Sequence, residues 1–316
     1  MTGRDYASEL KKAQAGDTVA LSQLISAVES RRAPAGALRD IYTAGGGARV
    51  IGVTGPAGSG KSSLVSVFVR ELRRRGETVA VVAVDPSSAF SGGAILGDRL
   101  RMVEHSADPG VFVRSMSARG VLGGVSRTTV DAVAVLDAAG WDTVIVETVG
   151  AGQDEVDIMR IAHTVIVVSV PGLGDDVQAM KAGLLEIADL HVVNKADRKD
   201  ARRTVTELRA MLRMSAAAQD GWSPPVLETI ALDGTGVGEL AEQAVRHRDW
   251  LTASGELERR QLAAAAERIR TAARDLLLQR LSDPAVAGRF ASLAKQVAAR
   301  ELDPHTAAQT LISAQD

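Results

Sequence analysis

The chain contains no cysteine, which removes disulfides, thiolate metal sites and cysteine nucleophiles from consideration. It has no apolar run near the roughly 18 residues that a membrane span needs, although 46% of its 316 residues are hydrophobic. The first stretch, Met1 to Asp17, is charged and lacks the apolar core of a secretory signal. A cytoplasmic protein with no membrane partner is expected. Excess charge of one sign is missing too: the formal net charge is -2, whereas a nucleic-acid footprint normally shows as a strongly basic face. The densest basic cluster, Arg70 with Arg73, Arg74 and Arg75, sits late in an expected helix, where cations complement the C-terminal dipole. Repeats and low-complexity segments are also absent. The five histidines, at 105, 163, 191, 247 and 305, are scattered singly; without metal-ligand spacing they read as core or surface residues.

What is there begins with Gly55-Pro56-Ala57-Gly58-Ser59-Gly60-Lys61-Ser62, the phosphate-binding pattern G-x-x-x-x-G-K-S/T. The run Arg49 to Thr54 before it reads as a buried strand. The run from Ser63 to Arg75 reads as a helix with Leu64, Val67, Phe68 and Leu72 inward. In that setting the glycines let backbone N–H groups turn around the phosphates, and the helix N-terminus adds its positive end. Lys61 is expected to reach the β- and γ-phosphates and Ser62 to bind Mg2+, with Ser63 opening the helix beside them. A nucleoside triphosphate ligand follows.

Three parts are visible along the chain. Residues 1–47 carry two short helical patterns, one with the stripe Leu21, Leu24, Ile25 and Val28, and end in Gly45-Gly46-Gly47. Residues 48–254 alternate strands (50–54, 78–84, 111–114, 142–147, 164–170, 190–194, 225–230) with helical patterns (121–139, 175–187, 198–216, 236–252). Most strands are near-continuous Val/Ile runs, as in a parallel sheet covered on both faces. The expected fold class is α/β, a doubly wound, mostly parallel sheet. Residues 255–316 are alanine- and arginine-rich. There Leu262, Ile269 and Leu276 recur every seven residues, the outline of a helical dimerisation arm or of a helix laid back on its own core.

The strand 190–194 ends in Asn194-Lys195-Ala196-Asp197. A carboxylate there can accept both hydrogen bonds offered by the N1–H and N2–H2 edge of guanine, which adenine cannot supply. GTP and GDP are therefore the expected nucleotides, with Ala231 and Leu232 near the base. A further strand ends in Glu147-Thr148-Val149-Gly150, placing Glu147 toward the metal, through a water, and the Gly150 amide toward the γ-phosphate. Asp85, closing the strand 78–84, and Asp98, in the glycine-rich loop that follows, are further candidates for the metal, since a carboxylate at a strand C-terminus lies at the ligand crevice of α/β sheets. No glutamine directly follows Gly150: Ala151 does, and Gln153 comes later. Slow intrinsic hydrolysis, accelerated by a partner, is the expectation.

The strings Asp85-Pro86-Ser87-Ser88, Ser91-Gly92-Gly93-Ala94-Ile95-Leu96-Gly97-Asp98, Gly123-Gly124-Val125-Ser126-Arg127, Glu147-Thr148-Val149-Gly150-Ala151-Gly152-Gln153 and Pro171-Gly172-Leu173-Gly174-Asp175-Asp176 resemble the MeaB/ArgK family of P-loop GTPases. The resemblance runs over most of the chain. It implies a homodimeric GTPase that serves as chaperone for an adenosylcobalamin-dependent acyl-CoA mutase, usually methylmalonyl-CoA mutase, gating cofactor loading and protecting the mutase. By the same resemblance Asp85, Asp98 and Glu147 surround Mg2+, and residues 171–188 form a third switch. Lys181 there joins Lys61 and Glu147 as a catalytic candidate; by itself it reads equally as an exposed helix lysine. Ile230 replaces the serine that family members commonly carry beside the base. A nickel-delivering GTPase is disfavoured by the lack of thiolate or clustered histidine ligands. An ATPase or kinase for basic amino-acid uptake is disfavoured by Asn194 to Asp197. A scaffold with a purely structural nucleotide remains a third reading. The Asp-x-His-x-x-Gly pattern of cobalamin-binding domains is absent, so cofactor handling would act through the mutase.

Overall fold

The computed structural model describes residues 5–30, 32–85, 103–105, 107–117, 127–148, 157–172, 182–216, 221–281 and 283–313. Three helices come first: α1 Tyr6–Gln14, α2 Thr18–Glu29 and α3 Ala35–Ala44. Asp5 and Asp17 cap the first two by accepting backbone N–H groups of Ser8 and of Val19 and Ala20. The sequence suggested two helices in this region. The third has Pro34 at its N-cap position, and its short, glycine-containing pattern carries little periodic signal.

Seven strands then alternate with helices: β1 Arg49–Thr54, α4 Lys61–Arg74, β2 Val79–Asp85, β3 Val111–Ser117, α5 Arg127–Ala138, β4 Thr143–Thr148, β5 Thr164–Ser169, α6 Ala182–Ile187, β6 Leu190–Asn194, α7 Ala201–Ala216, β7 Val226–Thr229 and α8 Val237–Ala253. They form one sheet in the order β3-β2-β4-β1-β5-β6-β7, and every pairing is parallel. The doubly wound α/β expectation is met. β1 lies between β4 and β5, so the chain reverses its direction of winding there and opens a crevice at the strand C-termini.

Both faces of the sheet are buried, which is why β4, β5 and β6 have no exposed position. On one face Ile51, Val53, Ile145, Ile166 and Val168 pack with Leu64, Phe68 and Leu72 of α4 and Leu240 and Ala244 of α8. Each of the Val, Ile, Leu and Phe side chains among them contributes about 1.5–3 kcal/mol on burial. The opposite face packs Val50, Val82, Val144 and Val146 against α2, α5 and Ile158. The linker between α3 and β1 is fastened by Asp137, whose carboxylate accepts the N–H groups of Gly46, Gly47 and Ala48 at 2.6, 3.0 and 2.8 Å.

At the N-terminal ends of the strands lies a second set of buried polar groups. Asp189, just before β6, receives two guanidinium nitrogens of Arg260 at 2.9 and 2.8 Å and the Val165 N–H at 2.8 Å. His247 Nε2 approaches the same carboxylate at 3.2 Å. Burial pushes the Asp189 carboxyl up, but His247 and Arg260 outweigh it and hold it below the usual range.

After α8 come α9 Glu256–Leu281, α10 Pro284–Ala298 and α11 Pro304–Ser313. The chain divides into two compact units, residues 1–260 and 261–316. Within the second, Arg289 donates to the Thr310 carbonyl at 3.3 Å, and Asp303 caps α11 through the His305 and Thr306 N–H groups. Leu262, Ile269 and Leu276 are 72%, 69% and 60% exposed. No helix among the described residues is long and apolar enough to cross a membrane.

Candidate nucleotide site

The site grows out of the end of β1. Gly55 turns the chain with φ 138°, and a Cβ there would lie 2.2 Å from the Val168 carbonyl oxygen of β5. Only glycine fits so close an approach. Gly60, at φ 85°, is the left-handed residue from which α4 departs, and a Cβ on it would meet Asn194 Nδ2 at 2.5 Å. Because Gly60 takes the turn, α4 begins at Lys61, two residues before the start suggested by the apolar pattern. Lys61 is 6% exposed, and its ammonium donates to the Gly55 and Pro56 carbonyls at 2.8 and 3.0 Å. Ala57 and Gly58 form the exposed crest of the loop. Ser59 is fully buried, with no hydrogen-bond partner for its hydroxyl among the described residues.

Ser62 and Ser63 occupy the first turn of α4. The Ser62 hydroxyl donates to Glu147 Oε1 at 2.5 Å. Glu147 is 5% exposed and sits one residue before the end of β4, in register with Val53 of β1. Alternation sends it to the α4 side of the sheet, with Ile145. A hydroxyl and a carboxylate oxygen meeting at a buried helix N-terminus form a hard-oxygen pair suited to Mg2+. Asp85 closes β2, a neighbour of β4 whose Ala83 pairs with Glu147; its side chain lies outside the described residues. So do Asp98, Gly150 and Lys181, together with most of the strings that carry the family resemblance.

One turn below Ser62, Ser66 donates to the Glu104 carboxylate and lies 2.9 Å from His105 Nε2. These contacts fasten the short turn Val103–His105 to α4. The Ser66 hydrogen bond holds the Glu104 carboxyl below its ordinary range, against burial and aided by His105 and Arg70.

The base side is built from three loops. Asn194, 1% exposed, donates from Nδ2 to the Ser59 carbonyl at 3.0 Å. Its Oδ1 accepts the Ala231 N–H at 3.1 Å and the Thr229 hydroxyl at 3.3 Å. Lys195, at φ 57°, donates to the Gly58 carbonyl at 3.0 Å. The Ala196 N–H donates to the Thr229 carbonyl at 3.0 Å. Asn194 thus fastens the phosphate loop to the loop after β7, and Asp197 is exposed beside that junction. Leu232, at the tip of the β7–α8 loop, is 91% exposed. Ile230 makes its own pairing, exchanging backbone contacts with Thr235. The Thr229 hydroxyl escaped the sequence reading. Its signal was the threonine ending a short apolar strand.

A parallel α/β sheet with a phosphate loop after β1, a carboxylate ending the adjacent β4 and an Asn-Lys-x-Asp turn after β6 defines the class of P-loop GTPases. The family model for methylmalonyl Co-A mutase-associated GTPase MeaB matches residues 21–285, and the chain belongs to that family. A protein of Pyrococcus abyssi is 44% identical over 306 residues, covering 96% of this chain and 94% of that protein. GTPase ArgK of Escherichia coli K12 is 37% identical over 284 residues, covering 87% and 86%. Among solved structures, that of a LAO/AO transport system kinase aligns with a TM-score of 0.71 at 27% identity, covering 98% of each chain.

Proposed function

We propose that this MeaB-family GTPase binds Mg2+-GTP at the C-terminal edge of the sheet, hydrolyses it slowly, and uses the cycle to gate adenosylcobalamin loading into an acyl-CoA mutase. The observation that carries the nucleotide half is the buried contact between Ser62 and Glu147 beside the phosphate loop. The partner half is supported by the family's description as mutase-associated, and methylmalonyl-CoA mutase is the first candidate.

In this reading residues 55–63 wrap the phosphates, and the backbone N–H groups at the start of α4 neutralise their charge. Lys61 swings from the Gly55 and Pro56 carbonyls to the β- and γ-phosphates. Asp197 pairs with the guanine edge. Lys195, Ala231 and Leu232 border the base, and Asn194 keeps their loops on the phosphate loop. Ser62 and Glu147, with Asp85 and Asp98, would hold Mg2+, which when bound would offset the charge that develops on the phosphate oxygens. The Gly150 amide is assigned to the γ-phosphate, and Lys181, in the 171–188 switch, to partner-stimulated hydrolysis. Loops 85–102 and 171–188 report the nucleotide state to the mutase.

Residues 48–254 form the GTPase domain in this account, 1–47 a helical cover, and 255–316 the arm of a cytoplasmic homodimer. The exposed spacing of Leu262, Ile269 and Leu276 supports an arm that packs on a second copy.

The test is steady-state GTP hydrolysis with Mg2+, with and without the methylmalonyl-CoA mutase of the same organism. A slow basal rate that rises at least about tenfold, some 1.4 kcal/mol off the barrier, is the expected result. An unchanged rate removes that mutase as the partner, and the absence of any hydrolysis with a partner present favours the scaffold reading.

A further inference from the structure

β1 and β4 lie side by side, and their backbone pairing runs from Arg49↔Thr143 to Val53↔Glu147. The next residue on each strand is a threonine, Thr54 and Thr148, exposed by 0% and 1%. Thr148 Oγ1 donates to Thr54 Oγ1 at 2.9 Å. The positions preceding them on the same face are apolar: Val50 on β1, Val144 and Val146 on β4, and Val165 and Val167 on β5. A valine would fill either position with the same shape and no hydroxyl to satisfy. A cross-strand threonine pair adds only about 0.2–1 kcal/mol to a sheet, so stability alone gives little reason for two buried hydroxyls here.

Their place in the chain supplies a reason. Thr54 is the last residue before Gly55 opens the phosphate loop, and Thr148 directly follows Glu147. Val53 and Glu147 face α4, so the two threonines face the opposite side, with Val50, Val144 and Val146. Their bridge therefore touches neither the Ser62–Glu147 pair nor the phosphate loop's inner surface. It joins the two strand ends one residue past the last backbone pair. The entry to the phosphate loop is fixed on its other flank by the Val168 carbonyl against Gly55.

We propose that Thr54 and Thr148 are a positioning pair: their hydroxyl bridge holds the end of β4 against the start of the phosphate loop and thereby sets the Glu147–Ser62 geometry toward the metal. This rests on the Mg2+-GTP reading of the site. Groups that orient metal-binding residues from behind typically cost about 10–100-fold in metal affinity when removed.

The experiment is a fluorescent-nucleotide titration of the full chain, wild type against Thr148→Val, Thr54→Val, the double variant and Thr148→Ser. Three quantities are read: GDP affinity in EDTA, GTP affinity as a function of Mg2+, and the melting temperature. Thr148→Val is expected to raise the Mg2+ concentration for half-maximal GTP binding about tenfold. It should leave metal-free GDP affinity within about twofold and melting nearly unchanged. Thr54→Val should do the same, the double variant should be no worse than either single one, and Thr148→Ser, which keeps the hydroxyl, should stay near wild type. A wild-type Mg2+ response in both valine variants overturns the inference, as does a parallel loss of metal-free GDP affinity and stability. If the wild type itself shows no Mg2+-dependent GTP binding, the nucleotide reading fails first and takes the inference with it.

Discussion

At the N-terminal end of β6, Asp189 is 5% exposed and is met by two nitrogens of Arg260, by His247 and by the Val165 N–H. At the C-terminal end of β4, Glu147 is equally buried at 5% and is met by the Ser62 hydroxyl. Both are carboxylates at the rim of one sheet, yet their surroundings differ in kind. Asp189 faces the fixed guanidinium of Arg260 on α9, with the His247 ring of α8 beside it, so its charge is balanced within the fold, where it fastens the root of α9 to β5 and β6. Glu147 accepts the Ser62 hydroxyl at a helix N-terminus, in the same site as a lysine whose ammonium donates to backbone carbonyls of the phosphate loop. A buried carboxylate next to oxygen donors suits a metal and phosphates; one clasped by arginine suits a rivet. The same element of chemistry serves structure at one end and ligand binding at the other.

The widest separation of the two ends should come from Asp189→Asn. Removing one partner from a buried ion pair strands Arg260 and should cost about 3–5 kcal/mol in urea unfolding, while the protein that remains folded binds GTP within a few-fold of wild type. A selective loss of GTP binding with unchanged stability would dissolve the contrast. Acid titration sharpens it next. His191 is fully buried in β6, neither ring nitrogen has a hydrogen-bond partner among the described residues, and burial, partly countered by Asp189, depresses its pKa to about 4. Between pH 6.5 and about 4 the unfolded chain binds the proton that folded His191 refuses, so stability falls as pH falls through that window. The full loss is about 3 kcal/mol. Asp189, held below its ordinary value, keeps its contribution through that window and loses it only at lower pH. Unfolding curves should therefore show the first loss removed in His191→Leu and the second retained. The smallest effect on stability belongs to Lys61→Ala. It should lower GTP affinity about 100-fold, roughly 2.7 kcal/mol, and shift unfolding by less than about 1 kcal/mol, since the two carbonyls it meets, of Gly55 and Pro56, belong to its own loop.

Sequence alone reached the elements whose signals are local. The phosphate loop, the Val/Ile strands and the Asn194 turn are contiguous patterns, and the fold follows from their alternation. The apolar run suggests an end for β3 at residue 114, whereas the strand runs to Ser117. It is an edge strand whose Arg114 reaches Glu29 and Ser26 at 2.9 and 3.1 Å, so a charged residue interrupts the apolar run without ending the strand. Two other features are non-local and left no periodic trace. The Asp189–Arg260 clasp joins residues 71 apart, and the Thr54–Thr148 bridge joins residues 94 apart. Each becomes visible only when the sheet order brings its partners together. Within the nucleotide site, Glu147 and Ser62 were named from strand-end and motif logic, but that the two touch is information the fold adds.

The most direct test of the account is nucleotide selection by the wild type and by Asp197→Asn, measured as competition of GTP, ATP and XTP for a fluorescent guanine nucleotide in Mg2+. Wild type is expected to take GTP at least about 100-fold more tightly than ATP or XTP, and the variant to reverse the order of GTP and XTP, because the amide offers the xanthine edge a donor where the carboxylate offered an acceptor. GTP binding that survives the substitution undiminished would contradict the assignment of Asp197 and, with it, of this edge of the sheet as the guanine site.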